Sequence, residues 1–211
     1  MTSEHGMKRR LLLAAALAAA GVGGALLWQH ETRPAGAFEP PAEDVCIVPP
    51  TRVSQPHPYD PTSGLGLLEA RPVPPDARCP VCGMYAARFP RWAAQIVFAD
   101  GATHFFDSPV DLFMFLAEPA RFGSARSTRD AAALYVADFA SGRWLDARQA
   151  VFVLGSTVRG PMRGPDLPAF ADTAAAEAFA AANGGRTLRF GEIDPAIVGT
   201  LRDANHRHLT H

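Results

Sequence analysis

The stretch "CPVCGMYAARF", Cys79–Phe89, holds two thiols and a thioether within six positions, in a 211-residue chain that has three cysteines and five methionines. Four chemistries use a Cys-x-x-Cys pair. A structural zinc site needs two further Cys or His ligands at matching spacing. Here the remaining cysteine is Cys46, and no His pair at zinc-finger spacing follows in the folded region. A thioredoxin-like redox pair sits between a strand and a helix, whose N-terminus lowers a thiol pKa; in this chain prolines precede the pair and Gly83 follows it. A structural disulfide suits an exported chain and leaves one thiol over whichever pair closes. Capture of Cu(I) uses Met84 as well. Thiolate and thioether are soft donors that select Cu(I), and two or three of them suffice, so the scarcity of cysteine is no obstacle.

Met162, in "RGPMRGP", is the partner this last reading needs. A methionine between Gly160-Pro161 and Arg163-Gly164-Pro165 is held on a loop and not on a helix face, where methionines fill core gaps. The expected ligand set is therefore Cys79, Cys82, Met84 and Met162, soft donors on mobile loops that hold the ion near the surface. His104 sits on a strand beside two phenylalanines and reads as a core or surface histidine before a third donor. His206, His208 and His211 lie in a terminal tail and read as solvated. Asp107 and Ser108 read as a helix cap.

The elements that must position these donors follow from local pattern. "QIVF" and "THFF" bracket an Asp-Gly turn and predict a hairpin. In "SPVDLFMFLAEPARF", Ser108 is the expected N-cap, Pro109 opens the helix, Asp111 places charge in its first turn, and the helix stops before Pro119. "AALYVADF" and "AVFVLG" predict two strands joined by a polar connection. A broken loop carrying Met162 leads to "DTAAAEAFAAANGG", a helix capped by Asp172 and ended by Gly184. "RTLRFGEI" is a strand, and "DPAIVGTLRDANHRH" a closing helix. The order is strand, strand, helix, strand, then strand, loop, helix, strand. It suggests an α+β fold of two small units of related topology, over residues 79–205, with a short tail at 206–211.

Ahead of that domain, "MKRRLLLAAALAAAGVGGALLW" has a basic start and then an apolar run, the pattern of an export signal or, uncleaved, of a membrane anchor over residues 1–28. Basic residues before the run and none just after it orient the rest of the chain outward. That places the folded part in the periplasm of a Gram-negative cell. Residues 29–78 are rich in proline and read as a linker. Twenty basic residues balance twenty-one acidic ones, and no basic cluster lies beyond the N-terminus, which argues against a nucleic-acid partner. No nucleophile, base and orienting group stand together, so no enzyme is expected.

"CPVCGMY", then "AAQIVFADGATHFFDSPVDLFMFL", a "GPM" loop and "AFADTAAAEAFAAANGGRTLRFGEI" occur in one order, and together they resemble the nitrous oxide reductase accessory protein NosL family over roughly Cys79–Ile193. The resemblance implies a pair of ββαβ-type units similar to the core of organomercurial lyase. It also implies an exported copper chaperone that binds Cu(I) and supplies it for the catalytic copper centre of nitrous oxide reductase. That reductase and the membrane transporter assembling its centre would be the partners. Cys79, Cys82 and Met84 map onto the family's Cys/Met motif and Met162 onto its Gly-Pro-Met loop. Typical members are lipoproteins, whereas here the nearest cysteine, Cys46, lies well past the signal. "CPVCGM" also resembles the opening of YHS or TRASH-type metal-binding modules, in which a second pair of cysteines follows the hairpin. In this chain that place reads "FFDSPVDLF", with Asp107 and Asp111. A thiol-disulfide oxidoreductase using Cys79 and Cys82 is the other reading the sequence leaves open.

Overall fold

The computed structural model describes residues 55–207. The export or anchor segment, Cys46 and the last histidines fall outside them, and among the described residues no helix is long and apolar enough to cross a membrane. The first unit begins with β1 (Ala94–Phe98) and β2 (Thr103–Phe106), continues through α1 (Pro109–Ala117), and returns along β3 (Ala131–Ala137) to the short β4 (Trp144–Asp146). The second comprises β5 (Val151–Leu154), β6 (Ala169–Phe170), α2 (Thr173–Asn183) and β7 (Arg186–Arg189), and α3 (Pro195–Arg207) closes the fold. The sheets have the orders β2-β1-β3-β4 and β6-β5-β7, with antiparallel pairing throughout. In both units the first strand is central, its hairpin partner lies on one side and the strand after the helix on the other. The expected pair of ββαβ units is therefore present. Asp138 and Phe139, just past β3, reach Ala169 of β6 and join the two sheets.

β4 was not expected. "RWLD" reads as a polar connection because its pattern of exposure is that of an edge strand, half-buried to exposed along its length, with no clean alternation to mark it. The helix starts match expectation. Ser108 accepts a hydrogen bond from the Asp111 amide and Asp172 accepts one from the Ala175 amide, each satisfying a donor that the first helical turn leaves free.

Strand alternation sorts the first sheet into two buried faces. Ala94, Ile96 and Phe98 enter the main core with Phe106, Leu112 and Val136. Gln95, Thr103 and Phe105 point the other way and are also buried. Residues 55–78 cover that second face, so this half of the predicted linker belongs to the domain. His57 exchanges backbone hydrogen bonds of 2.8 Å with Thr103 as an added strand. The Gln95 amide accepts from Arg71 N at 3.0 Å and donates to Arg71 O at 3.1 Å. Phe105 is covered by Ala77, Ala86 and Val73. A proline-rich segment suits this task, because it can lie along a sheet without needing a ladder of its own.

Candidate metal centre

Two short hairpins converge on the first turn of α1. The first is closed by a bridge between Arg78 and Tyr85 and carries the sulfur motif at its tip. Cys79 N donates to Met84 O at 2.8 Å and Gly83 N to Cys79 O at 2.9 Å, a turn that needs the positive φ of 79° at Gly83. The tightness of this turn brings the two thiols to one side. Cys79 Sγ donates to Asp111 Oδ2 and Cys82 Sγ to Asp107 Oδ1, each at 3.1 Å. Ligand atoms of Cys79, Cys82, Asp107 and Asp111 all lie within 4.8 Å of one another, and all four residues are buried. This is the one such group among the described His, Cys, Asp and Glu residues.

The carboxylates were missed by sequence reasoning. Asp107 reads as part of the helix cap, but Ser108 does the capping and Asp107 turns back to Cys82. Asp111 reads as first-turn charge for the helix, yet it is buried under Cys79. The signal lay in their spacing: residues four apart at a helix start share a face, here the face under the Cys-x-x-Cys turn. They occupy the place where the YHS or TRASH pattern has its second pair of cysteines. The second unit shows the same start without them. Phe106-Asp107-Ser108 corresponds to Phe170-Ala171-Asp172 at the helix cap, and Asp111 to Ala175, so two alanines stand where the first unit has its acids.

Burial pushes both thiols well above their ordinary pKa, and the carboxylates of Asp111 and Asp107 push the same way. Burial, with the neighbouring Asp107 charge, likewise raises Asp111 well above the usual carboxylate range. Reactive redox cysteines are exposed and have lowered pKa values. This pair has neither property, which argues against the oxidoreductase reading.

The second hairpin carries Met162. A bridge joins Arg159 to Pro165, Arg163 N donates to Gly160 O and Gly160 N to Gly164 O, both at 2.9 Å. Met162 is half-buried and packs against the apolar cluster that contains Cys79, Cys82 and Met84. The hairpin is seated through Asp166. Its Oδ1 accepts from Val110 N in the first turn of α1 at 3.2 Å and from Leu167 N at 2.8 Å, and its side chain abuts Gly160. On its other side Asn205 of α3 fills the space beside Gly164.

Two expectations about the site change. Cys79, Cys82 and Met84 are 2, 6 and 8% exposed, so the sulfurs lie under the surface and not on it. The Met162 loop is wedged between two side chains and a helix start, which leaves it little freedom to move. His104 is confirmed as a core histidine: its ring meets those of Phe98, Phe106 and Phe115, and burial lowers its pKa to about 4.

Comparison with known proteins agrees with this architecture. Residues 70–198 match the family model for NosL. The copper-binding lipoprotein NosL of Stutzerimonas stutzeri is 33% identical over 136 residues, 61% of this chain and 67% of that protein. The copper-binding lipoprotein NosL of Achromobacter cycloclastes is 39% identical over a shorter stretch, 28% of this chain and 31% of the relative. The crystal structure of the copper chaperone NosL from Shewanella denitrificans superposes with a TM-score of 0.54 at 29% identity, covering 61% of this chain and 98% of that one. These relatives are named for binding or carrying copper, none for catalysis. With the matched segment running from the cover of the first sheet into α3, the chain belongs to the NosL family.

Proposed function

We propose that this chain is an exported Cu(I) metallochaperone. It would hold the ion through Cys79 and Cys82, with Met84 and Met162 as thioether donors, and deliver it for assembly of the copper centre of nitrous oxide reductase through the transporter that builds that centre. The observation that carries the reading is the pairing of two buried thiols, each 3.1 Å from a carboxylate oxygen; Met162 packs on the main core that includes them, on a hairpin seated against the same helix start. Sulfur donors favour monovalent copper over harder ions. The carboxylates accept hydrogen bonds from the two thiols and so hold both sulfurs against the same helix start. Release is ligand exchange, in which donors from the partner enter before the first sulfurs leave.

Family membership and relatives named as copper-binding lipoproteins support export and attachment at a membrane. In this chain the N-terminal apolar run would supply the attachment in place of a lipid, facing the domain into the periplasm. The test is titration of the reduced protein with Cu(I) against a competing chelator, repeated with Met84→Ala, Met162→Ala and Cys79→Ser/Cys82→Ser. Each methionine variant should weaken binding by about tenfold and the double cysteine variant should abolish it. Retention of full affinity by the cysteine variant would refute the assignment.

A further inference from the structure

The two hairpins that frame the thiols share a charge pattern the whole chain lacks. Residues 78–85 contain Arg78, residues 159–165 contain Arg159 and Arg163, and neither hairpin contains an Asp or Glu, in a chain whose formal charge is -1. Among the described residues, the carboxylates bonded to these hairpins and the helix start beneath them, Asp107, Asp111 and Asp166, are buried, while Asp76 stands just outside the first hairpin. Arg78 is fixed at the sulfur turn: its guanidinium donates to Gly83 O at 2.8 Å and lies 4.0 Å over the Tyr85 ring. Arg159 and Arg163 are exposed on either side of Met162.

Arg163 carries a second signal. Its φ of 59° is the only left-handed backbone outside glycine among the described residues. Glycine occupies such a position without strain, whereas arginine does so at a cost. A hairpin that already has glycines at 160 and 164 would gain stability from a third at 163. An arginine there is explained by what its side chain does at the surface.

We infer that the arginines of these two hairpins form a docking rim for an acidic protein surface, the surface that surrounds the copper-accepting donors of the partner. The inference deepens the delivery reading and rests on it for the identity of the surface. Attraction between opposite charges concentrates a partner at the mouth of the site and raises its rate of encounter. The same rim disfavours approach by basic proteins. A protein surface fits better than an anionic lipid headgroup, because ligand exchange at this mouth requires incoming sulfur or imidazole donors, which a phosphate does not provide.

The experiment uses the full chain and two synthetic acceptor peptides with one methionine- and histidine-bearing core, flanked by glutamates in one and by lysines in the other. Anisotropy measures docking to the metal-free chain, and stopped-flow measures Cu(I) transfer from the loaded chain, in 10 mM and 150 mM salt. The glutamate peptide should dock and receive copper about tenfold better at low salt, where screening is weakest, and lose most of that advantage at the higher salt. Arg159→Glu/Arg163→Glu should reverse the preference while changing Cu(I) affinity by less than about threefold, since exposed charges act weakly at a distance. Equal docking of the two peptides to the wild-type chain would overturn the inference, as would an unchanged preference in the double variant. Capture of the chain by phosphatidylglycerol vesicles that depends on Arg159 and Arg163, without peptide discrimination, would assign the rim to lipid and overturn it too. Failure to hold Cu(I) against the chelator would sink the delivery reading alone, and docking to the metal-free chain would still decide the rim.

Discussion

A Cβ on Gly160 would collide with the carboxyl of Asp166, so the Met162 hairpin touches a carboxyl that also accepts from the first turn of α1. This contact ties the second unit's loop to the helix start that carries Asp107 and Asp111. Gly160→Ala should therefore cost about 1–3 kcal/mol by overpacking and weaken Cu(I) binding by shifting Met162. Gly199→Ala is the control. Nothing lies within 4 Å of its added methyl group, and in α3 it should stabilise by up to about 1 kcal/mol without touching copper. Urea unfolding and chelator competition on both variants check this.

Arg163→Gly relieves a left-handed arginine and should raise stability by about 0.5–1 kcal/mol. A loss of stability on urea unfolding would mean that the arginine side chain holds the hairpin together, contrary to its exposed position.

Two buried groups pull the pH dependence of stability in opposite directions. Burial lifts Asp166 to a pKa of about 7. The folded state therefore keeps its proton while the unfolded chain releases it, and this residue makes stability fall as pH rises from about 4 to about 7. Burial lowers His104 to about 4. The unfolded chain takes up that proton first, so this residue makes stability fall as pH drops from about 6.5 to about 4. Asp166→Asn should gain on the wild type by about 2–4 kcal/mol between pH 4 and pH 7, and His104→Phe should gain by about 2–3 kcal/mol in the reverse direction. Parallel profiles for the three proteins in denaturant titrations would contradict both assignments.

Gln95, at the centre of the first sheet, is bonded through both atoms of its amide to Arg71. Gln95→Ala should cost about 2–3 kcal/mol, because it leaves the Arg71 backbone groups without partners. A free linker at residues 55–78 would instead make the substitution nearly neutral. The loss should be accompanied by faster amide exchange at His57 and Arg71, measured by hydrogen–deuterium exchange.

The sequence made the fold legible where its signals were local. Ser108, Asp172, Gly184 and the Asp-Gly turn each act within a few residues, and each does in the structure what its type suggested. Two related α+β units followed from the order of these elements, while the short β6 (Ala169–Phe170) of the second lay in what read as a loop, and the full ββαβ pattern came from the family resemblance. What stayed hidden depended on distance in the chain. Gln95 gives no sign that a proline-rich segment 24 residues earlier will cover it. Asp107 and Asp111 satisfy a helix-start pattern so well that their four-residue spacing did not disclose their second task, under thiols 25 and 32 residues away. The cysteines and methionines were legible for the opposite reason, since soft donors are rare enough for their clustering to carry information. Their depth was not, because burial is decided by what the two hairpins bring over them.

Cu K-edge X-ray absorption of the Cu(I)-loaded protein, wild type against Met162→Leu and Cys82→Ser, tests the donor set most directly. A shell dominated by sulfur, reduced by one scatterer in each variant, is the expected result. A shell of oxygen and nitrogen alone, or one that neither substitution changes, would contradict the assignment of this buried sulfur cluster as the seat of copper.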